Sequence, residues 1–282
     1  MKTPKLPALL TALLFLPVTL SSQDYPYLND PTCLEGVTAT SGITEPVTVS
    51  VIYDNYVHTK GMTADWGYSI LIEGLAKSVL FDTGTRPAIF KFNFSKMDLN
   101  ASEIDAVVLS HEHRDHTGGI YAFAEMKTGI PVIMPHDFQE SFKRDMTGLG
   151  LKPLMVREPA AICDNLYTSG LFDFPLSEQA LVLDTRKGLV VMTGCSHPGI
   201  VNMLKDIRSS FNKNVYMVFG GFHLMDKTDD EMDTIIAAMK SLGVVMCGAT
   251  HCTGERQINL IREKFGDGFV ELGAGNIVVI NP

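Results

Sequence analysis

The segment that most constrains this chain is Ser110-His111-Glu112-His113-Arg114-Asp115-His116-Thr117-Gly118-Gly119, where three of the 8 histidines stand close together. It follows Ala106-Val107-Val108-Leu109, a short apolar run that reads as a buried strand. The ligand-type side chains therefore fall on the loop at that strand's C-terminal end. A turn there aims His111 and His113 one way and Asp115 and His116 another, so one loop can serve two adjacent cations. Imidazole and carboxylate are the usual non-sulfur ligands of Zn²⁺ and related divalent metals. Gly118-Gly119 lets the backbone pass close beneath such a site before it enters a helix. A polar surface loop that merely happened to hold histidines would not concentrate them so.

Other blocks repeat the arrangement of a strand followed by ligand-type residues. Phe81-Asp82-Thr83-Gly84 follows Ser78-Val79-Leu80, and Val190-Val191-Met192-Thr193 leads into Gly194-Cys195-Ser196-His197-Pro198-Gly199. Gly220-Gly221-Phe222-His223-Leu224 ends another apolar run, and Thr250-His251-Cys252-Thr253-Gly254 closes the series. From about Val47 to Val279 the chain resembles the metallo-β-lactamase superfamily, whose H-x-H-x-D-H signature and D-T-G turn these blocks match. Within it the chain is most similar to the dihydropterin-ribofuranosylaminobenzene-phosphate synthase-like group. The resemblance implies an α/β fold, the αβ/βα four-layer sandwich, with the ligand turns converging at one edge.

At 282 residues, 45% of them hydrophobic, the chain can bury one sizeable core. A formal net charge of −9 without a basic run disfavours nucleic-acid partners, since a phosphate backbone calls for a cationic face. At the N-terminus, Lys2 and Lys5 flank a short apolar stretch that ends in Ser21-Ser22, the parts of a secretory signal peptide over residues 1–22. The stretch is short for a spanning helix and contains prolines, so an uncleaved anchor is the lesser alternative. This reading predicts an exported protein, periplasmic or secreted, with no stable membrane span after cleavage. Residues 23–46 are polar and rich in Pro, Gly, Ser and Thr, as a linker or N-terminal arm would be, leaving 47–282 as the catalytic domain. The 5 cysteines do not suggest a knotted framework. Cys33, in the arm, and Cys163, in an irregular region, are either a tether or two free thiols, and a Cys247–Cys252 pair is conceivable.

The pattern predicts strands at 47–53, 67–73, 78–81, 104–109, 131–134, 180–185, 189–192, 215–219, 244–247, 268–272 and 276–280. It predicts helices within 86–100, over 118–127, and amphipathic ones over 201–211 and 229–242, with Gly243 where a C-terminal cap belongs.

Carried over position by position, the resemblance places His111 and His113 at one metal and Asp115, His116 and His251 at a second. Relatives take a further first-site ligand from a P-G-H loop; here Phe174-Pro175-Leu176-Ser177-Glu178-Gln179 stands in its place, so His197 is the best remaining imidazole. Cys195, two residues away, is a rival thiolate ligand or a small buried residue beneath the turn. His223 is a ligand, a substrate-contacting catalytic residue or a supporting histidine. His58 and His136 read as surface or pocket-rim residues. Asp82 is expected to hold the far N–H of a ligand histidine, and Glu178 to do likewise or to be solvated.

The resemblance thus implies two divalent ions, zinc first with manganese or iron admitted, roughly 3.5–4 Å apart. A water between them would lose its proton near neutral pH, with Asp115 accepting it. The expected function is hydrolysis of an ester, lactone, amide or phosphoester in a small-molecule substrate. The alternatives are the synthase-like transfer reaction and a non-catalytic metal- or ligand-binding protein on the same scaffold. Oligomeric state stays open.

Overall fold

The computed structural model describes residues 25–28 and 42–282. The signal segment, Cys33 and most of the 23–46 arm lie outside the described residues. Strands β1 (Val47–Tyr53), β2 (Ser69–Glu73), β3 (Ser78–Phe81), β4 (Ile104–Val108), β5 (Pro131–Pro135), β6 (Lys152–Val156), β7 (Ala160–Cys163), β8 (Leu166–Thr168), β9 (Leu181–Thr185), β10 (Gly188–Thr193), β11 (Val215–Gly221), β12 (Met246–Thr250) and β13 (Ile277–Ile280) form two sheets. Among the described residues the first runs β13-β1-β2-β3-β4-β5-β6 and the second β12-β11-β10-β9-β8-β7. In each, an antiparallel half (β13-β1-β2-β3; β10-β9-β8-β7) passes into parallel pairs (β3-β4-β5-β6; β10-β11-β12).

The apolar runs explain the layering. In β10, Val190 and Met192 face the core between the sheets, while Leu189 and Val191 face the helices outside. A strand buried on both faces has no polar alternation to show, which is why β10 reads as a continuous run. The helices are α1 (Pro87–Lys96), α2 (Arg114–Thr117), α3 (Ile120–Met126), α4 (Glu140–Gly148), α5 (Ile200–Phe211), α6 (Asp229–Ser241) and α7 (Glu255–Phe265). Phe90 and Phe94 of α1 and Ile120 and Phe123 of α3 cover the first sheet. Met203 and Ile207 of α5, Met232 and Ile236 of α6 and Ile261 of α7 cover the second. The result is the αβ/βα sandwich.

Helix α6 is bounded by chemistry that its sequence carries. Thr228 and Glu231 form a reciprocal capping box at its start, and Gly243, with φ +99°, follows its C-cap Leu242.

Some expectations need correction. Residues 268–272 make no strand; Phe269 forms one isolated bridge to Cys247, in a stretch interrupted by Gly268 and by Gly273 at φ +154°. Strand β12 begins at Met246, because the chain must first leave the Gly243 turn. Cys163 is not in an irregular region but ends β7, buried in the inter-sheet core. Helices α4 and α7 and strands β6 to β8 complete the layers where no pattern had been read. Of the arm, Tyr27 bridges Met155 in parallel, and the Leu28 N–H donates to the Met155 carbonyl at 2.8 Å, so this piece lies along β6. No described helix is long and apolar enough to cross a membrane.

Candidate metal centre

Four strand ends deliver the cluster. β4 leads to His111 and His113, and α2 begins at once with Asp115 and His116 in its only turn. β10 ends in the turn of Cys195 and His197, β11 in that of His223, and β12 in that of His251 and Cys252. The turns are tight: Asp82, Ser196, His223 and His251 all adopt positive φ, between 50° and 63°. Such conformations persist only where surrounding contacts hold them, and they concentrate at functional sites. Gly118 and Gly119 are there for closeness rather than for dihedral freedom. A Cβ on either would lie 2.0 Å from the carbonyl oxygen of Thr85 or Thr83.

The imidazoles pack ring against ring. His111 lies 4.1 Å from His116, 4.7 Å from His113 and 4.8 Å from His197, centroid to centroid, and His116 lies 5.0 Å from His251. His111 Nε2 and His113 Nδ1 are 3.1 Å apart. Asp115 Oδ2 stands 3.5 Å from His116 Nε2 and 3.3 Å from His251 Nε2. The ligand atoms of Asp115, His116, Cys195 and His251 all lie within 4.8 Å of one another, as do those of His111, Cys195 and His197. The residues expected at both metal positions therefore come together. His223 joins through Cys195 and Cys252, with its ring 4.4 Å from that of His197. His58 is exposed, and His136 lines a separate cavity of about 350 Å³ beside Arg157.

Backing contacts fix which nitrogen faces inward. Asp82 Oδ2 takes His116 Nδ1 at 2.7 Å and the Ser110 hydroxyl at 2.7 Å; Ser110 Oγ then accepts from His111 Nδ1 at 2.9 Å. Asn55 Oδ1 accepts from His251 Nδ1 at 2.9 Å and from the Gly67 N–H at 3.0 Å. With Nδ1 donating outward, each of these rings turns the Nε2 lone pair into the cluster, as a metal ligand requires. Asp82 plays the part expected of it. Asn55 was not anticipated; it binds a residue 196 positions away, and nothing local marks it.

Glu178 is not solvated, and it stands 4.0 Å from His111 Nδ1, beyond hydrogen-bond reach. Fully buried, it accepts the backbone N–H groups of Cys195 and Ser196 at 2.8 Å and of His197 at 2.7 Å. It thus organises the turn that presents Cys195 and His197. Cys195 is buried beneath the turn, and its Sγ lies 3.1 Å from His116 Nε2, within the donor cluster. The four described cysteines, including Cys247 and Cys252, are unpaired.

Burial and the facing charges set the electrostatics of the cluster. Burial pushes the His111 proton affinity well below the usual histidine range, aided by His116, His197 and His113 nearby. Burial, with His223 and His113, pushes His197 down to about 4. For His116 burial is outweighed by Asp82 and Asp115, which push it up to about 10. Burial alone would raise the Asp115 carboxyl, but the hydrogen bonds and charges of His116 and His251 hold it well below the usual carboxylate range. The Nε2 atoms of His197 and His251 are both buried; that of His197 has no hydrogen-bond partner, and that of His251 faces Asp115 Oδ2 at 3.3 Å. Inward-facing lone pairs, an ionised carboxylate and a thiol fit a divalent transition metal.

Residues 63–206 match the metallo-beta-lactamase superfamily, and the chain belongs to it. Among its relatives is the Methanocaldococcus jannaschii 7,8-dihydropterin-6-methyl-4-(beta-D-ribofuranosyl)-aminobenzene-5'-phosphate synthase, 34% identical over 261 residues, with 75% of this chain and 89% of the relative covered. The solved structure of Tm1679, a metal-dependent hydrolase of the beta-lactamase superfamily, aligns with TM-score 0.71 and 29% identity, over 84% of this chain and all of that one (100%). The metallo-beta-lactamase fold protein YhfI from Bacillus subtilis aligns with TM-score 0.63 at 18% identity, over 84% of this chain and 100% of its own, a likeness of fold.

Proposed function

We propose that this chain is a dinuclear metal-dependent hydrolase, with His111, His113 and His197 holding one ion and Asp115, His116 and His251 the other. The observation that carries the reading is the inward convergence of these donors, with His197 Nε2 buried without a hydrogen-bond partner and His251 Nε2 facing Asp115 Oδ2 at 3.3 Å. Two divalent cations held there, zinc by preference, would supply an activated water and would polarise a carbonyl or phosphoryl oxygen.

The chain's own residues do the rest. Asp115, whose Oδ2 lies at the centre of the cluster 3.5 Å from His116 Nε2 and 3.3 Å from His251 Nε2, is the carboxylate placed to orient the attacking water and accept its proton. His223 stands at the exposed side; its hydrogen bond to Cys252, foremost, raises its proton affinity, which suits a donor to the leaving group. Asp82, Ser110 and Asn55 keep the rings oriented throughout. The mature protein is proposed to begin near Gln23 after removal of residues 1–22 as a leader.

The test is turnover of phosphodiester, lactone, amide and β-lactam substrates, with and without chelator, alongside elemental analysis. Chelator-sensitive hydrolysis with two metals per chain is expected; one metal or fewer in fully active protein would refute the dinuclear reading. A second reading, formation of the compound in the archaeal relative's name, draws on the 34% identity. Formation of that compound from the synthase's own precursors, with no hydrolysis of the panel, would favour it.

A further inference from the structure

The chain has 1 tryptophan, and it stands at the metal centre. Trp66 lies in the loop between β1 and β2, and its indole Nε1–H donates to Asp115 Oδ2 at 2.8 Å, the oxygen that also faces His116 and His251. Its ring centroid is 5.2 Å from that of His251, at 54°. The backbone on either side is clamped. The Trp66 carbonyl accepts from the Thr85 hydroxyl, the Gly67 N–H donates to Asn55 Oδ1 at 3.0 Å, and the Tyr68 N–H donates to the Asp115 carbonyl at 3.2 Å. Gly67, at φ +147°, has no room for a Cβ, which would meet the Asp115 carbonyl oxygen at 2.7 Å. Yet Trp66 is 45% exposed. Nearly half of the indole is thus open to solvent beside the candidate metal centre, fixed there by its hydrogen bond to Asp115 and by the clamped backbone.

We propose that Trp66 is a substrate-recognition residue, a stacking platform for an aryl or heteroaryl ring joined directly to the group being cleaved. The proposal rests on the metal-centre reading for the position of that group. On that reading the reacting carbonyl or phosphoryl lies at the ions that Asp115 helps to hold, and the indole Nε1 is 2.8 Å from Asp115 Oδ2. Aromatic rings interact with centroids about 4.5–7 Å apart, so a ring one or two bonds from the reacting atom falls within range, and a ring on a long aliphatic spacer is carried past. The indole N–H is already committed to Asp115, which leaves the π-face and ring edge to recognise substrate. A cationic ligand, which tryptophan faces also attract, is disfavoured by the two metal charges alongside.

The experiment uses the zinc-loaded full chain and three non-hydrolysable probes, phenyl-, cyclohexyl- and methylphosphonate, read by calorimetry and by the emission of the single tryptophan. Phenylphosphonate should bind about fivefold tighter than cyclohexylphosphonate, which has similar bulk but no π-system, and should change the Trp66 emission. In Trp66→Leu the aryl preference should fall to within about twofold, while Trp66→Phe should keep it. Equal binding of phenyl and cyclohexyl probes by the wild type, absence of an emission change on phenylphosphonate binding, or no binding of it at all would overturn the proposal. So would an aryl preference that survives in metal-loaded Trp66→Leu. Because the probes are not turned over, failure of hydrolysis in the substrate panel and failure of stacking are separate results.

Discussion

Replacing Glu178 by Gln tests how the turn that carries Cys195 and His197 is built. The carboxylate accepts three backbone N–H groups, Cys195 and Ser196 on Oε1 and His197 on Oε2, all at 2.7–2.8 Å and all buried. Hydrogen bonds to a charged acceptor contribute about 1.5–3 kcal/mol each, and an orphaned buried donor costs about 1–3 kcal/mol. Glutamine keeps one oxygen for two of the donors and sets its NH₂ against the third. Burial also raises the Glu178 proton affinity despite those bonds, so removing the charge recovers part of the loss. The net expectation is a destabilisation of about 2–3 kcal/mol, or roughly 3–5 °C in melting temperature for a chain of this size. The damage is local to the Cys195–His197 turn, so zinc affinity should fall together with stability. Thermal unfolding by circular dichroism and zinc competition against a chromogenic chelator measure the two. A variant that melts within about 1 °C of wild type and binds zinc equally well would show that the turn does not depend on this carboxylate.

Other outcomes follow from the same geometry. His197→Ala should lower metal affinity and abolish turnover, whereas Cys195→Ser should keep at least partial loading; the reverse pattern would make the thiolate the ligand. Chelated protein should be most stable near pH ~6.5. His197 is pushed down to about 4, so its contribution is lost as pH falls from ~6.5 toward that value; His116 is pushed up to about 10, so its contribution is complete below ~6.5 and lost as pH rises to about 10. A melting temperature that climbs steadily from pH 4 to 10 would contradict this. Intact-mass measurement on protein from its native host should find a chain beginning near Gln23; retained Met1 with a cytosolic location would refute export.

Much of the architecture is legible because it is local. The run Val190-Val191-Met192 is apolar at every position because both faces of β10 are covered. Asp229–Ser241 announces itself by Thr228, Glu231 and Gly243, whose effects reach only a few residues. The ligand blocks show through for a related reason. Metal ligands in this fold sit on short turns immediately after strands, so the sequence pairs an apolar run with His, Asp or Cys, and Asp82 sits on the same kind of turn.

What surrounds those ligands was decided by the tertiary structure. Trp66 meets Asp115 across 49 positions, Asn55 meets His251 across 196, and Cys195 meets His116 across 79. None of these pairs has a spacing or a composition that marks it. Glu178 looks like an ordinary charged residue in an irregular loop until the loop folds under the β10 turn, where its two oxygens meet three N–H groups. Chain periodicity decides which face of an element is buried, and turn chemistry decides where the element stops. Which side chains then meet across the edge of two sheets depends on strand order and register, and those are properties of the assembled layers.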